Sequence, residues 1–171
     1  PSHVEDMATY GVTAIDLVAV NLYPFSSEPS IELIDIGGPA MVRGAAKNHA
    51  HVTVLVDPTD YEPVLDELRS TGEVAGVTRR RLARDAFAHT AAYDSAIVEW
   101  FDADGPGEQP ELPEAHAPLP RTLHLSATLA QPVRYGENPH QQAARYSFSG
   151  DSCWDRATLH GGKAMSYLNV Y

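Results

Sequence analysis

Two nearly continuous apolar runs, Ala14 to Asn21 (AIDLVAVN) and His51 to Val56 (HVTVLV), stand among segments whose hydrophobic positions recur at helical spacing. Runs of this kind read as strands of a parallel sheet, buried on both faces. Around them the period lengthens. Ser2 to Tyr10 forms a short helix, with Ser2 as cap, Val4, Met7 and Ala8 on one side and Gly11 as its stop. After Asp57-Pro58 a second helix begins, with Thr59 suited to cap it and Glu62 three residues on. Tyr61, Val64, Leu65 and Leu68 supply its apolar face, and Gly72 ends it. The longest helix, Thr78 to Phe101, carries the stripe Leu82, Ala86, Thr90, Tyr93, Ile97 and Trp100. Strands alternating with helices predict α/β layering over a parallel sheet. Two strands leave apolar edges open, so further strands are expected ahead of Pro1 or from a partner.

The pattern breaks at Ala103 to Pro120, where Pro106, Pro110, Pro113, Pro118 and Pro120 alternate with glycine and acidic residues. This stretch reads as an extended linker. Beyond it, Thr122 to Leu129 and Ala143 to Phe148 alternate as strands do. A segment this short buries little core alone and reads as the entry into a second domain. Composition narrows the picture further. Twelve Lys and Arg against 23 Asp and Glu give a formal charge of -11, which argues against nucleic acid and anionic membrane as partners. No apolar run is long enough to span a bilayer. The single cysteine, Cys153, leaves no internal disulfide and fits a reducing, cytoplasmic compartment. The chain starts on proline and stops on an isolated aromatic, so it is expected to be part of a longer protein.

The stretch with the most chemical content is Ile34 to His49, IDIGGPAMVRGAAKNH. Asp35 precedes a glycine pair, Pro39 suits a first helical position, and Arg43 and Lys47 stand four apart on one helix face. Unpaired amides at a helix mouth attract anions, so this reads either as an anion-binding turn or as a capped surface helix with two solvated cations. At the carboxyl end of the first strand, Val20, Asn21 and Tyr23 occupy the place where open α/β sheets bind ligands. A strand closed by a Tyr-Pro turn explains the same residues. Arg79, Arg80 and Arg81 read as a solvated face. His89 and Tyr93, four apart with no second ligand pair, read as packing rather than a metal site.

Five strings in order, NLYPF (21–25), IDIGGPAMVRGAAKNH (34–49), AFAHTAAYD (86–94), RYGENPHQ (134–141) and GGKAMSYLN (161–169), closely resemble the bifunctional purine biosynthesis enzymes that join IMP cyclohydrolase to AICAR formyltransferase. The resemblance covers nearly the whole chain apart from the linker. It implies a methylglyoxal-synthase-like parallel-sheet domain over 1–102, lacking its N-terminal part, a linker over 103–120, and over 121–171 the start of a cytidine-deaminase-like α/β domain without that fold's zinc. The first domain would close FAICAR to IMP with loss of water, without a cofactor. The second would transfer a formyl group from 10-formyltetrahydrofolate to AICAR. By the resemblance, Lys47 matches the catalytic lysine, Asp35 and Tyr23 belong to the active site, Val20 and Asn21 touch the nucleotide, and Ile36 lends a backbone contact. Arg134 and Tyr135 match AICAR-binding positions, the planar guanidinium being apt for phosphate. Asn169 falls near that site. The family is homodimeric, and no metal is implied.

The chain also departs from that pattern. The family's phosphate-binding loops and one further active-site lysine lie upstream of NLYPF, and its formyl-transfer histidine and neighbouring lysine lie downstream of Tyr171. The loop between Tyr23 and Asp35 is shorter than usual, and SYLN puts Leu168 where an amide is expected. The 171 residues alone are therefore expected to complete neither reaction. A noncatalytic methylglyoxal-synthase-like module that senses nucleotides or other anions is the alternative, though it leaves RYGENPHQ without a use. A structural dimer scaffold is a third reading.

Overall fold

The computed structural model describes residues 3–104, 122–148, 153–154, 156–158 and 160–170. They fall into two compact units, one within Pro1–Thr122 and one within Leu123–Tyr171.

In the first unit the order is α1 (His3–Tyr10), β1 (Leu17–Ala19), α2 (Gly37–Lys47), β2 (Thr53–Leu55), α3 (Tyr61–Thr71) and α4 (Gly76–Asp104). Strands β1 and β2 pair in parallel, with Leu17 beside Thr53 and Ala19 beside Leu55. The architecture is thus α/β with a small parallel sheet. Strand β2 is buried along its length because its alternating side chains enter two different cores. Val54 packs with Val42, Ala45, Ala46, Ala83 and Ala86 of α2 and α4. Leu55 packs with Val64 of α3 and with Val74 and Leu82. The alanines let α2 and α4 approach closely, and each fully buried valine contributes about 1.5–3 kcal/mol.

Strand β1 corrects the sequence reading. The regular ladder covers Leu17–Ala19 rather than Ala14 to Asn21, and Ile15 and Leu17 are exposed. Only one of its faces is covered, where Val18, Val20 and Leu22 lean on the α2/α4 cluster. The apolar run therefore marks a strand buried on one side among the described residues.

The helices follow their patterns with local corrections. Helix α1 buries no residue, and Ser2 lies outside the described residues. In α2, Pro39 is the third residue rather than the first, a place still tolerated because first-turn amides need no partner. Asp57, not Thr59, caps the next element, its carboxylate accepting from the Thr59 N–H and hydroxyl, and a 3-10 turn precedes α3. Leu65, assigned to the apolar face of α3, is 40% exposed. Gly72 ends α3 at φ 81°, a conformation costly to any residue with a side chain. Along α4 the predicted stripe is buried at Leu82, Ala86, Thr90 and Tyr93 and only half-buried at Ile97 and Trp100. The arginine run is not one solvated face. Arg79 donates through Nε to the His49 carbonyl and through a terminal nitrogen to the Val74 carbonyl, whereas Arg81 pairs with Asp60 and Asp85. Helix α4 also takes in Ala103 and Asp104, assigned to the linker, whose remaining residues lie outside the described ones.

In the second unit β3 (Ala127–Val133) and β4 (Ala143–Phe148) run antiparallel, with an irregularity between Leu129 and Gln131. Strand β3 begins five residues later than the alternation from Thr122 suggested, and runs on through Pro132. Of this unit's described residues only Gly136 and Ser166 are buried. A short helix, α5 (Tyr167–Val170), follows.

Candidate functional site

The carboxyl ends of β1 and β2 open onto one cleft. The ladder continues one residue past β1, where the Val20 N–H donates to the Leu55 carbonyl at 3.0 Å. Asn21, Leu22 and Tyr23 then leave the sheet. Phe25 anchors that exit. It is buried and meets Tyr93 and Trp100 edge-on, at ring separations of 6.0 and 5.8 Å. With the loop pinned at Phe25, Asn21 and Tyr23 stay at the surface of a cleft of about 350 Å³, which Val56, His89 and Tyr93 also line. The motif NLYPF is thus an amide and a phenol on a leash held by its last residue.

Asp35 is fixed from two sides. Its backbone N–H donates to the Tyr93 hydroxyl at 2.8 Å, and that hydroxyl donates onward to the Leu33 carbonyl at 2.8 Å. Its carboxylate accepts from the Gly38 N–H at 2.8 Å, at the mouth of α2, where the helix dipole favours negative charge. Gly38 is required there. A Cβ would run into the Asp35 carboxylate and stand 2.8 Å from Leu22 Cδ2. The Asp35 carboxylate thus takes up the Gly38 amide at this helix mouth, as the capped-helix reading of the turn expects. Ile36 sits at the helix entry with its side chain in solvent, its carbonyl accepting from the Ala40 N–H.

Lys47 ends the same helix. Because α2 is unbroken, Lys47 lies nine residues beyond Gly38, about 14 Å along the axis. The backbone has no bend to shorten that span, and within this chain the ammonium and the Asp35 carboxylate are not brought together. Lys47 is exposed and has no hydrogen-bond or ionic partner among the described residues. Arg43, one turn earlier, lies over the Phe87 ring at 5.5 Å, which ties it to α4.

Of the two residues read as packing, Tyr93 bears the reading out and His89 does not. Tyr93 is packed, but its hydroxyl also positions the Asp35 loop. His89 is exposed and lines the cleft. It lies near Asp57, whose carboxyl is held below its ordinary value mainly by the Thr59 N–H and hydroxyl, with His89 adding a smaller pull. The signal available in the sequence was its place one turn before Tyr93, off the buried stripe. Among the described residues no group of three His, Cys, Asp or Glu side chains is placed to hold a metal ion.

In the second unit Arg134 lines a separate cleft of about 590 Å³ with His140 and Tyr146, and its guanidinium lies over the Tyr135 ring at 5.1 Å. The loop after Arg134 is closed by Gln141. Its carbonyl accepts from the Gly136 N–H and its side-chain oxygen from the Asn138 N–H, both at 2.8 Å. Backbone bonds from the Arg134 N–H to Met165 and from the Tyr167 N–H to Tyr135 bring the SYLN segment beside this strand end. Asn169 faces inward to its own turn, its side-chain oxygen accepting from the Ser166 N–H and hydroxyl. Leu168 is exposed.

An α/β unit in which the segment after β1 brings an amide and a phenol, and α4 an imidazole, to one carboxyl-edge cleft has the layout of a small-molecule-binding module. Residues 45–171 match the family described as AICARFT/IMPCHase bienzyme, and the chain belongs to that family. It is 46% identical to the bifunctional purine biosynthesis protein PurH of Streptococcus mutans over 99% of its length. It is 48% identical to the protein of the same name from Sorangium cellulosum over 97% of its length. The chain spans 33% and 34% of those two relatives. The crystal structure of ForH is similar at a TM-score of 0.54 and 41% identity, over 60% of this chain and 58% of that one. Among the described residues no helix is long and apolar enough to cross a membrane.

Proposed function

We propose that this chain is a section of a bifunctional enzyme of de novo purine synthesis, contributing to formyl transfer from 10-formyltetrahydrofolate to AICAR and to dehydrating closure of FAICAR to IMP. The observation that carries the reading is the family match, which runs from the last turn of α2 through α5 and so takes in both units. In this reading the first unit is the methylglyoxal-synthase-like part and the second opens the cytidine-deaminase-like part.

Ring closure asks for a proton to leave the carboxamide nitrogen as it attacks the formyl carbon, and for a proton to reach the departing hydroxyl. Tyr23, exposed in the first cleft, and Asp35, held at the α2 mouth, are assigned to orient the substrate and accept or relay that proton. Val20, Asn21 and the backbone at Ile36 line the nucleotide's approach. Lys47 is assigned as the proton carrier, and its unpartnered ammonium at the far end of α2 requires it to act on a ligand that extends along the helix or enters from a second copy of the chain. A homodimer supplies that second copy. In the second unit, Arg134 over Tyr135 is assigned to the AICAR phosphate, with Asn169 shaping the adjacent turn. Formyltetrahydrofolate is the co-substrate of that step.

The test is Lys47→Ala in the complete gene product, with IMP formation followed from FAICAR. Loss of about 10²–10⁴-fold in kcat is expected for a positioned proton carrier. An unchanged rate rejects the catalytic assignment, and a change in nucleotide affinity with no turnover in the unsubstituted protein favours the noncatalytic binding module.

A further inference from the structure

His89 is the one polar cleft residue on α4 that no hydrogen bond within the described residues occupies. Its helix is held rigidly at that level, with Ala86, Thr90 and Tyr93 buried around it, so the imidazole is presented from a fixed backbone. The same cleft is lined by Asn21, Tyr23, the hydroxyls of Ser26 and Ser27, and the apolar Val56. Volume and lining define what fits. About 350 Å³ lies at the small end of ligand sites, enough for a heterocycle with part of its sugar. No lysine or arginine lines the cleft, and phosphate recognition asks for such cations or a nest of free amides. An amide, a phenol and an imidazole instead match the neutral donor and acceptor edge of a carboxamide or an oxopurine.

We propose that His89 contacts the ligand of this cleft directly, hydrogen-bonding the carboxamide edge of FAICAR and the corresponding edge of IMP. The ligand's identity rests on the function proposed above. Asp57, just beyond β2, spends its carboxylate on the Thr59 N–H and hydroxyl, so it does not occupy the imidazole.

Nuclear magnetic resonance of the complete gene product, with its histidine rings labelled and titrated with inosine 5′-monophosphate, tests the contact, with inorganic phosphate as a parallel probe. The His89 ring signals should move together with those of Asn21 and Tyr23 on adding the nucleotide, and stay still with phosphate alone. His89→Ala should weaken nucleotide binding about tenfold, and His89→Gln, which keeps a donor and an acceptor, should recover part of that loss. If His89→Ala fails to fold, the ring shifts of the unsubstituted chain and the affinity of His89→Gln decide. Nucleotide shifts at Asn21 and Tyr23 with a silent His89 ring, or unaltered affinity in His89→Ala, overturn the inference and leave the proposed function standing. Equal shifts with phosphate alone overturn the base-edge assignment. No shift anywhere in the cleft overturns both.

Discussion

Replacing Tyr93 by Phe removes one oxygen and leaves the rest of the core in place. The ring still meets Phe25 edge-on, so little apolar burial is lost. What disappears is the bridge between α4 and the loop before α2. The Asp35 N–H loses its acceptor and the Leu33 carbonyl its donor, both at 2.8 Å. A buried group left unpaired costs about 1–3 kcal/mol, and because both sites are only partly buried, water recovers some of it, which puts the total near 2 kcal/mol. Exchange of the Asp35 amide, opened by that amount, should quicken about thirtyfold. Urea unfolding followed by Trp100 fluorescence measures the first number, and native-state hydrogen exchange at Asp35 measures the second. A loss below about 0.5 kcal/mol with unaltered exchange at Asp35 would refute the bridge as a structural tie.

Other substitutions probe the same architecture. Gly38→Ala should push the Asp35 carboxylate off the α2 mouth and destabilise the fold by about 1–3 kcal/mol, as overpacking does, while Gly37→Ala, with open space at its Cβ, should cost less than half as much. A chemical denaturation series compares the two, and equal effects would contradict the steric account. Arg79→Ala removes donors to the His49 and Val74 carbonyls and should cost about 2 kcal/mol, whereas Arg80→Ala on the exposed side should stay within about 0.5 kcal/mol. Asp57 has its carboxyl lowered by Thr59, so its contribution is present above the ordinary value of 3.8 and is lost as pH falls through the lower folded value. Stability of Asp57→Asn should therefore fall below that of the unsubstituted chain at neutral pH and converge with it in acid. A gap that widens in acid would reverse the sign and reject the assignment.

The parts legible in the sequence were those written in short-range periods. The α4 stripe of Leu82, Ala86, Thr90 and Tyr93, the buried run in β2 and the Gly72 stop each depend on residues within a turn or two, and each appears where expected. Boundaries that depend on competition between neighbours moved. Asp57 displaced Thr59 as the cap because its carboxylate reaches the Thr59 amide first, and Pro39 slipped to the third helical position once Asp35 held Gly38. The site was half legible. Asn21 and Tyr23 follow from their place after a parallel strand, but Phe25 as their anchor and His89 as their opposite number do not.

Sequence alone thus determined which segments coil and which extend, the phase of the long helix, and the family in which NLYPF and RYGENPHQ belong. Tertiary structure decided which face of β1 is covered, that the anion at the α2 mouth is Asp35, and that Lys47 stands a helix length from it. The reason is range. Helical and strand periods are set by contacts a few residues apart, whereas the Tyr93 bridge joins positions 58 and 60 residues distant, and no local pattern encodes which distant hydroxyl will meet which amide.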